Sequence, residues 1–207
     1  MPKAPQRSRP KNIKQAGNNK SDKNTGGTSQ LRIIGGQWRS RKLQFTSAEG
    51  LRPTGDRIRE TLFNWLAAEI PGAHCLDLFA GSGALGIEAL SRGAASCDFV
   101  ELNHEAAAQI RQHLSTLNAE HGQVFCQTAK TYLENSQKHY DIIFLDPPFN
   151  KEHIDEIKSV LNTLINKDGL IYLEHAKNEE ISLPENWTAE KQKTTGEVVY
   201  STWRITC

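Results

Sequence analysis

The chain has 207 residues and a formal net charge of +1, with 37% hydrophobic and 24% charged residues, enough for one domain with a sizeable core plus a tail. No apolar run approaches the length of a membrane span, and the first thirty residues carry no hydrophobic signal core. That composition argues against a membrane protein or a secreted one, and the cytoplasm is the expected location. The cysteines at 75, 97, 126 and 207 form no C-x-x-C pair and fit a reducing compartment. The seven histidines show no ligand spacing, so no metal is expected.

The small net charge hides an asymmetry. Residues 1–60 hold 14 Lys or Arg against 4 Asp or Glu, whereas residues 61–207 hold 11 against 20. A basic arm on an acidic domain points to a polyanion at one end. Residues 1–30, rich in Lys, Asn, Pro, Gly and Ser, are expected to form a disordered basic tail. Over residues 31–55 the charges of Arg32, Arg39, Arg41, Lys42 and Arg52 are interleaved with Ile33, Ile34, Trp38, Leu43 and Phe45. These apolar residues should anchor an ordered hairpin that presents the charges to a polyanion. Residues 56–207 form the main domain.

A helix is predicted from about Asp56 to Glu69, with Ile58, Leu62, Trp65 and Leu66 on one face. A strand around Cys75-Leu76 leads into Asp77-Leu78-Phe79-Ala80-Gly81-Ser82-Gly83-Ala84-Leu85-Gly86, and a helix follows from Ala84 to Arg92, closed by Gly93. The glycines therefore lie on a strand-to-helix turn. There the backbone can approach a ligand without a Cβ in the way, beside the free N–H groups of a helix start. Gly81, Gly83 and Gly86 match the dinucleotide fingerprint, and Glu101 ends the next strand, 97–100, where a carboxylate for ribose hydroxyls is expected. A turn that merely packs helix on sheet would carry the glycines but has no need of Glu101.

A helix over His104–Leu117, a third strand at 124–126 and a short helix over 128–134 continue the alternation. The apolar run Ile142-Ile143-Phe144-Leu145 is a buried strand that ends in Asp146-Pro147-Pro148-Phe149. Two prolines extend neither sheet nor helix, so they fix the backbone where a carboxylate and an aromatic ring leave the strand. The carboxylate and a neighbouring carbonyl can accept hydrogen bonds from an amino group, and the phenyl ring can stack on a flat heterocycle. A plain strand end with a Pro-Pro stop would look the same by itself. A helix over 152–165, a strand over 170–174 and an antiparallel pair, 188–193 with 197–206, complete the domain. Alternating strands and helices imply a mostly parallel α/β sheet. Asp77, Glu101, Thr128 and Asp146 then share the rim at the carboxyl ends of its strands, where such folds bind ligands.

Two cofactors compete for the glycine turn. A pyrophosphate would sit at the helix start, but Asp77 would repel it. S-adenosylmethionine carries no phosphate, and its ammonium suits Asp77. No residue set for hydride chemistry is evident, and the Asp146 segment asks for an amine acceptor.

These segments together resemble the bacterial 16S ribosomal RNA (guanine-N2)-methyltransferases that act on the small-subunit head. The likeness is carried by Arg32 to Leu43 (RIIGGQWRSRKL), Leu51 to Leu66 (LRPTGDRIRETLFNWL), Asp77 to Gly93 and Asp146 to Phe149, and runs from about Leu31 to the C-terminus. The glycine turn marks nearly any class I methyltransferase and Asp-Pro-Pro-Phe marks amino-methyltransferases in general. The Gly-Gly-x-Trp-Arg and Arg-Pro-Thr segments are more particular to this family. The resemblance implies a Rossmann-like class I fold, with a seven-stranded sheet, helices on both faces and a small N-terminal β-hairpin.

It also implies site roles. Phe79, Ala80, Gly81, Ser82 and Gly83 would wrap the methionine part of S-adenosylmethionine, and Asp77 its amino end. Glu101 would take the ribose hydroxyls, Leu102 would lie against the adenine, and Thr128 and Ala129 would border it. Many relatives carry Asp-Ala or Asn-Ala at 128–129, so threonine puts the bond to the adenine amino group in doubt. Thr54 would close the cofactor pocket, or cap the helix that starts at Asp56, or both. Asp146, Pro147, Pro148 and Phe149 would hold the guanine. The implied partner is 16S ribosomal RNA in a small-subunit assembly particle, met by a monomer. The same tetrapeptide also fits methylation of DNA adenine or a protein side chain. A non-enzymatic RNA-binding module with a degenerate cofactor fold is opposed by the intact Asp77, Gly81, Gly83, Glu101 and Asp146.

Overall fold

The computed structural model describes residue 1 and residues 28–46, 55–148 and 151–206. Most of the expected tail, with Arg52, Thr54 and Phe149, lies outside the described residues. A seven-stranded sheet carries the fold. Its strands are β3 (His74–Asp77), β4 (Ser96–Val100), β5 (Gly122–Phe125), β6 (Tyr140–Leu145), β7 (Ile165–Ala176), β8 (Trp187–Thr195) and β9 (Val198–Ile205), preceded by a separate hairpin of β1 (Thr28–Arg32) and β2 (Lys42–Thr46). The helices are α1 (Asp56–Trp65), α2 (Ala84–Ser91), α3 (His104–Leu117), α4 (Ala129–Asn135) and α5 (Lys151–Leu164). The sheet order is β5-β4-β3-β6-β7-β9-β8, with β9 antiparallel to both of its neighbours and the remaining pairs parallel. The order reverses at β3, so the crevice beyond β3, β4 and β6 is the switch point at which open α/β sheets bind ligands.

Strand alternation divides the core. Phe144 and Tyr172 face one side with Phe63 of α1, Leu85 of α2 and Ile110 of α3. Leu145 and Leu173 face the other with Tyr132 of α4 and Leu161 of α5. On the second side Asp98 accepts hydrogen bonds from the hydroxyls of Tyr132 and Tyr140 and from Lys138, each at 2.7 Å, which fastens α4 to the sheet.

Some boundaries differ from the sequence reading. α1 ends at Trp65, four residues early, where residues 66–69 turn back on themselves. β7 begins at Ile165 rather than 170, because the chain pairs with Tyr140 and then shifts register before Ile142 meets Leu170. The N-cap position of α1 is Gly55.

The hairpin is clamped to the domain. Its register sets Leu31 against Leu43 on the buried face and Arg32 against Lys42 on the outer face. The connection between the two strands docks on α2: Ile34 and Gly35 donate backbone N–H groups to the two carboxylate oxygens of Glu88, at 2.8 and 2.7 Å. Gln37 N–H reaches the Ser91 carbonyl at 2.7 Å, and Trp38 N–H reaches the Ser91 hydroxyl at 3.0 Å. Glu88 is buried and neutralised by Arg92 at 2.7 Å and Arg59 at 3.6 Å.

Gly36 explains the glycine pair. Its φ is +74°, and a Cβ there would lie 1.7 Å from the Ser91 carbonyl oxygen. Gly36→Ala should therefore loosen the hairpin, with roughly 1–2 kcal/mol from left-handed backbone added to about 1–3 kcal/mol of overpacking. Gly196→Ala, at φ +60° but with open space around it, is expected to cost only the first of these. Denaturant titration of the two variants checks the difference, and equal midpoints would refute it.

Candidate active site

The turn after β3 is built around two carboxylates. Asp77 closes β3, and its Oδ2 accepts the backbone N–H of Gly86 at 2.9 Å, tying the strand end to the first turn of α2. Burial pushes its carboxyl up to about 7, against the pull of the Gly86 bond. Gly83 is the left-handed N-cap of α2 with φ +77°, and Gly81 is left-handed at +53°. Gly86 has a packing role as well, since a Cβ there would lie 2.2 Å from the Phe99 ring. Glu101 follows β4 and accepts Gly81 N–H at 2.7 Å through one oxygen and Asn103 N–H at 2.7 Å through the other. Each carboxylate oxygen keeps a second lone pair for a ligand hydroxyl.

A cavity of about 1120 Å³ opens over this turn. Asp77, Phe79, Ala80, Gly81, Ser82, Glu101, Leu102, Thr128 and Ala129 line it, and so do Asp146, Pro147 and Pro148 from the end of β6. The volume is ample for a nucleoside cofactor and a base together. Leu102 leaves 65% of its surface exposed on the wall, the other large apolar residue so exposed among those described being Met1. Thr128 is the N-cap of α4: its hydroxyl accepts Thr131 N–H at 3.0 Å and donates to the Thr131 hydroxyl at 2.8 Å. One hydroxyl lone pair is left for an adenine amino group.

Three of the wall residues not singled out from the sequence are ionisable groups that bear on the site. Glu174, near the end of β7, is only 6% exposed and accepts the Tyr172 hydroxyl at 2.7 Å. Burial, and then the negative charge of Asp146, push its carboxyl up to about 8. Arg57 of α1 and Lys130 of α4, both exposed, add positive charge to the cavity. The strand-end rule that picked out Asp146 was also the signal for Glu174. Phe45 of β2 reaches the same cavity, so the hairpin and the site share a wall. Arg32, Arg39, Arg41 and Lys42 are exposed on that hairpin, and Arg32 lies 3.6 Å from Asp56.

The family model described as Conserved hypothetical protein 95 matches residues 31–204, from the hairpin through most of β9. The chain belongs to this family. Ribosomal RNA small subunit methyltransferase D of Haemophilus influenzae is 47% identical over 177 residues, covering 83% of this chain and 92% of its own length. The protein of the same name from Escherichia coli K12 is 44% identical over 180 residues, covering 86% and 91%. The solved structure of yhhF from Escherichia coli is 40% identical and superposes with a TM-score of 0.81, over 86% of this chain and 99% of that one. The family match takes in the hairpin as well as the sheet, in keeping with the Gly35–Trp38 connection being fastened to α2.

Proposed function

We propose that this protein transfers a methyl group from S-adenosylmethionine to the exocyclic N2 amine of a guanine in 16S ribosomal RNA. The observation that carries the proposal is the placement of two carboxyl-bearing strand ends on one cavity. Paired β3 and β6 bring Asp77, with its glycine turn, and Asp146 to one cavity. The relatives' names specify ribosomal RNA of the small subunit, and the cationic hairpin shares a wall with the cavity. Both features favour RNA over DNA adenine or a protein side chain.

The wall residues fit S-adenosylmethionine by their chemistry. Asp77 suits its ammonium, Glu101 its ribose hydroxyls and exposed Leu102 its adenine face, with Gly81 giving close backbone approach. When bound, the cofactor supplies an electrophilic methyl group. The guanine amine is a weak nucleophile because its lone pair is delocalised into the ring. Hydrogen bonds from that amine to the Asp146 carboxylate and the Pro147 carbonyl would draw the nitrogen toward tetrahedral geometry and free the lone pair. The Asp146 charge also favours the positive charge that develops on nitrogen. Phe149 would hold the base plane by stacking. Leaving the RNA stack costs the base roughly a few kcal/mol, which phosphate contacts from Arg32, Arg39, Arg41, Lys42 and Arg52 would offset.

Residues 31–55 thus form an RNA-binding extension on a methyltransferase domain over residues 56–207. The protein acts as a monomer in the cytoplasm, on a small-subunit assembly particle. Nucleoside mass spectrometry of 16S ribosomal RNA from a deletion strain tests the reaction. Loss of one N2-methylguanosine, restored by the purified protein on small-subunit particles, is the expected result. An unchanged nucleoside profile would refute it.

Glu101→Ala should weaken cofactor binding by about 5- to 150-fold, the equivalent of about 1–3 kcal/mol for leaving hydroxyls unpaired. The ribose does not change during reaction, so turnover at saturating cofactor should fall far less. Calorimetry that finds wild-type affinity would remove Glu101 from the site.

A further inference from the structure

We infer that Glu174 reads the guanine, its carboxyl donating to O6 and accepting from N1–H while Asp146 takes the N2 amine. The inference rests on the reaction proposed above and adds the residue that selects the base.

The sheet register places the two groups. Leu145 of β6 pairs with Leu173 of β7 in parallel. Asp146 and Glu174 come next on adjacent strands, about 4.8 Å apart in the sheet direction. Both line the cavity beside the glycine turn. The charge of Asp146 raises both the Glu174 carboxyl and the Tyr172 hydroxyl. Tyr172 donates its hydroxyl to Glu174 Oε2 at 2.7 Å and so fixes the rotation of the carboxyl.

A second carboxyl beside Asp146 is not needed to hold an amine. It is also an expensive group to bury for structural reasons alone, since no ion pair among the described residues reaches it. The titratable groups that face it are Asp146 from β6, Tyr172 from its own strand and Tyr200 paired across on β9. Glu156 of α5, Glu197 of the β8–β9 turn and Arg57 of α1 stand across the cavity. Adjacent carboxyls do not both ionise readily, and burial, with the charge of Asp146 beside it, pushes the Glu174 carboxyl up to about 8.

A neutral carboxyl offers one O–H donor and one carbonyl acceptor. With Asp146 supplying a further acceptor beside it, the strand ends present donor, acceptor, acceptor in a row. The Watson–Crick edge of guanine presents O6 as acceptor, then N1–H and the N2 amine as donors. The two rows are complementary along their whole length. Adenine presents a donor, an acceptor and then no group, and so mismatches the row at the first two positions and offers Asp146 no amine.

The experiment measures methyl transfer to small-subunit particles by wild type, Glu174→Gln and Glu174→Ala, with cofactor affinity measured in parallel. The glutamine amide keeps one donor and one acceptor without a titrating proton. Glu174→Ala should lower kcat/KM about 5- to 150-fold, as for loss of one bidentate base contact, with cofactor affinity unmoved. Glu174→Gln should stay near wild type. Wild-type kcat/KM should fall as pH rises through about 8, while the glutamine variant stays level there. RNA with 2,6-diaminopurine at the target position keeps the N2 amine but reverses the other two positions. Wild type should use it poorly, and Glu174→Ala should treat it like guanine. Glu174→Ala at the wild-type rate, or Glu174→Gln as impaired as the alanine variant, would overturn the inference while leaving the reaction in place. If the alanine variant does not fold, the glutamine variant and the diaminopurine substrate still decide. A wild-type protein that methylates no guanine would remove both.

Discussion

Replacing Asp146 by alanine is expected to slow methyl transfer by about 10²–10³-fold, the usual loss for one preorganised group at the site of developing charge, while S-adenosylmethionine still binds. The two effects separate because Asp146 leaves β6 and the groups matched to the cofactor leave β3 and β4. The hydrogen bond from the amine to Asp146 strengthens as the nitrogen changes geometry and gains charge, so its contribution falls mainly on the transition state. The Pro147 backbone carbonyl survives the mutation and keeps one hydrogen bond to the amine, which is why the loss stops short of the full 7–11 kcal/mol or so available from positioning. Asp146→Asn keeps an acceptor and loses the charge, and should fall between the two. Single-turnover rates at saturating cofactor, with affinity by calorimetry, check this. Turnover of the alanine variant within tenfold of wild type would end the assignment.

What could be read from the sequence was whatever is local. The glycine turn, the carboxylate 20 residues after it and the proline-stopped strand are each contained in one short segment. Their shared rim follows from the alternation of strands and helices. Glu174 ends the predicted strand 170–174, but its place beside Asp146 depends on register and was not legible. Leu170 to Glu174 reads as an ordinary strand until Leu173 is seen opposite Leu145. The Gly35-Gly36 pair reads as a turn, whereas its cause lies in Ser91 and Glu88, more than 50 residues on. Asp77 was expected to face a ligand. It lines the cavity, but one of its oxygens is also engaged by the Gly86 N–H, a contact that no pattern in the segment announces. Thr128 caps α4 with its hydroxyl, a contact that likewise depends on the fold around it.

Neutralising Arg39, Arg41 and Lys42 together should flatten the salt dependence of RNA binding by about 2–2.7 in the slope of log K against log salt, at about 0.7–0.9 per phosphate contact. The three side chains are exposed on a hairpin whose other face is buried beneath Leu31, Leu43 and Trp38. Their positions are held, because the connection between β1 and β2 is hydrogen-bonded to Glu88 and Ser91 of α2. Lys42 stands directly opposite Arg32 across the strand pair. Like charges so placed destabilise a hairpin, a cost that a bound phosphate would reverse. Arg32 has Asp56 within 3.6 Å and is left in place for that reason. Cofactor affinity should not move, since the cavity wall from the hairpin is Phe45 and not these cations. Deleting residues 1–28 should harm RNA binding less than the triple substitution, because that segment has almost no apolar residues to order it. A truncated protein that loses RNA binding beside a triple variant that keeps it would reverse the assignment, making the tail the main RNA contact and the hairpin a cover for the site.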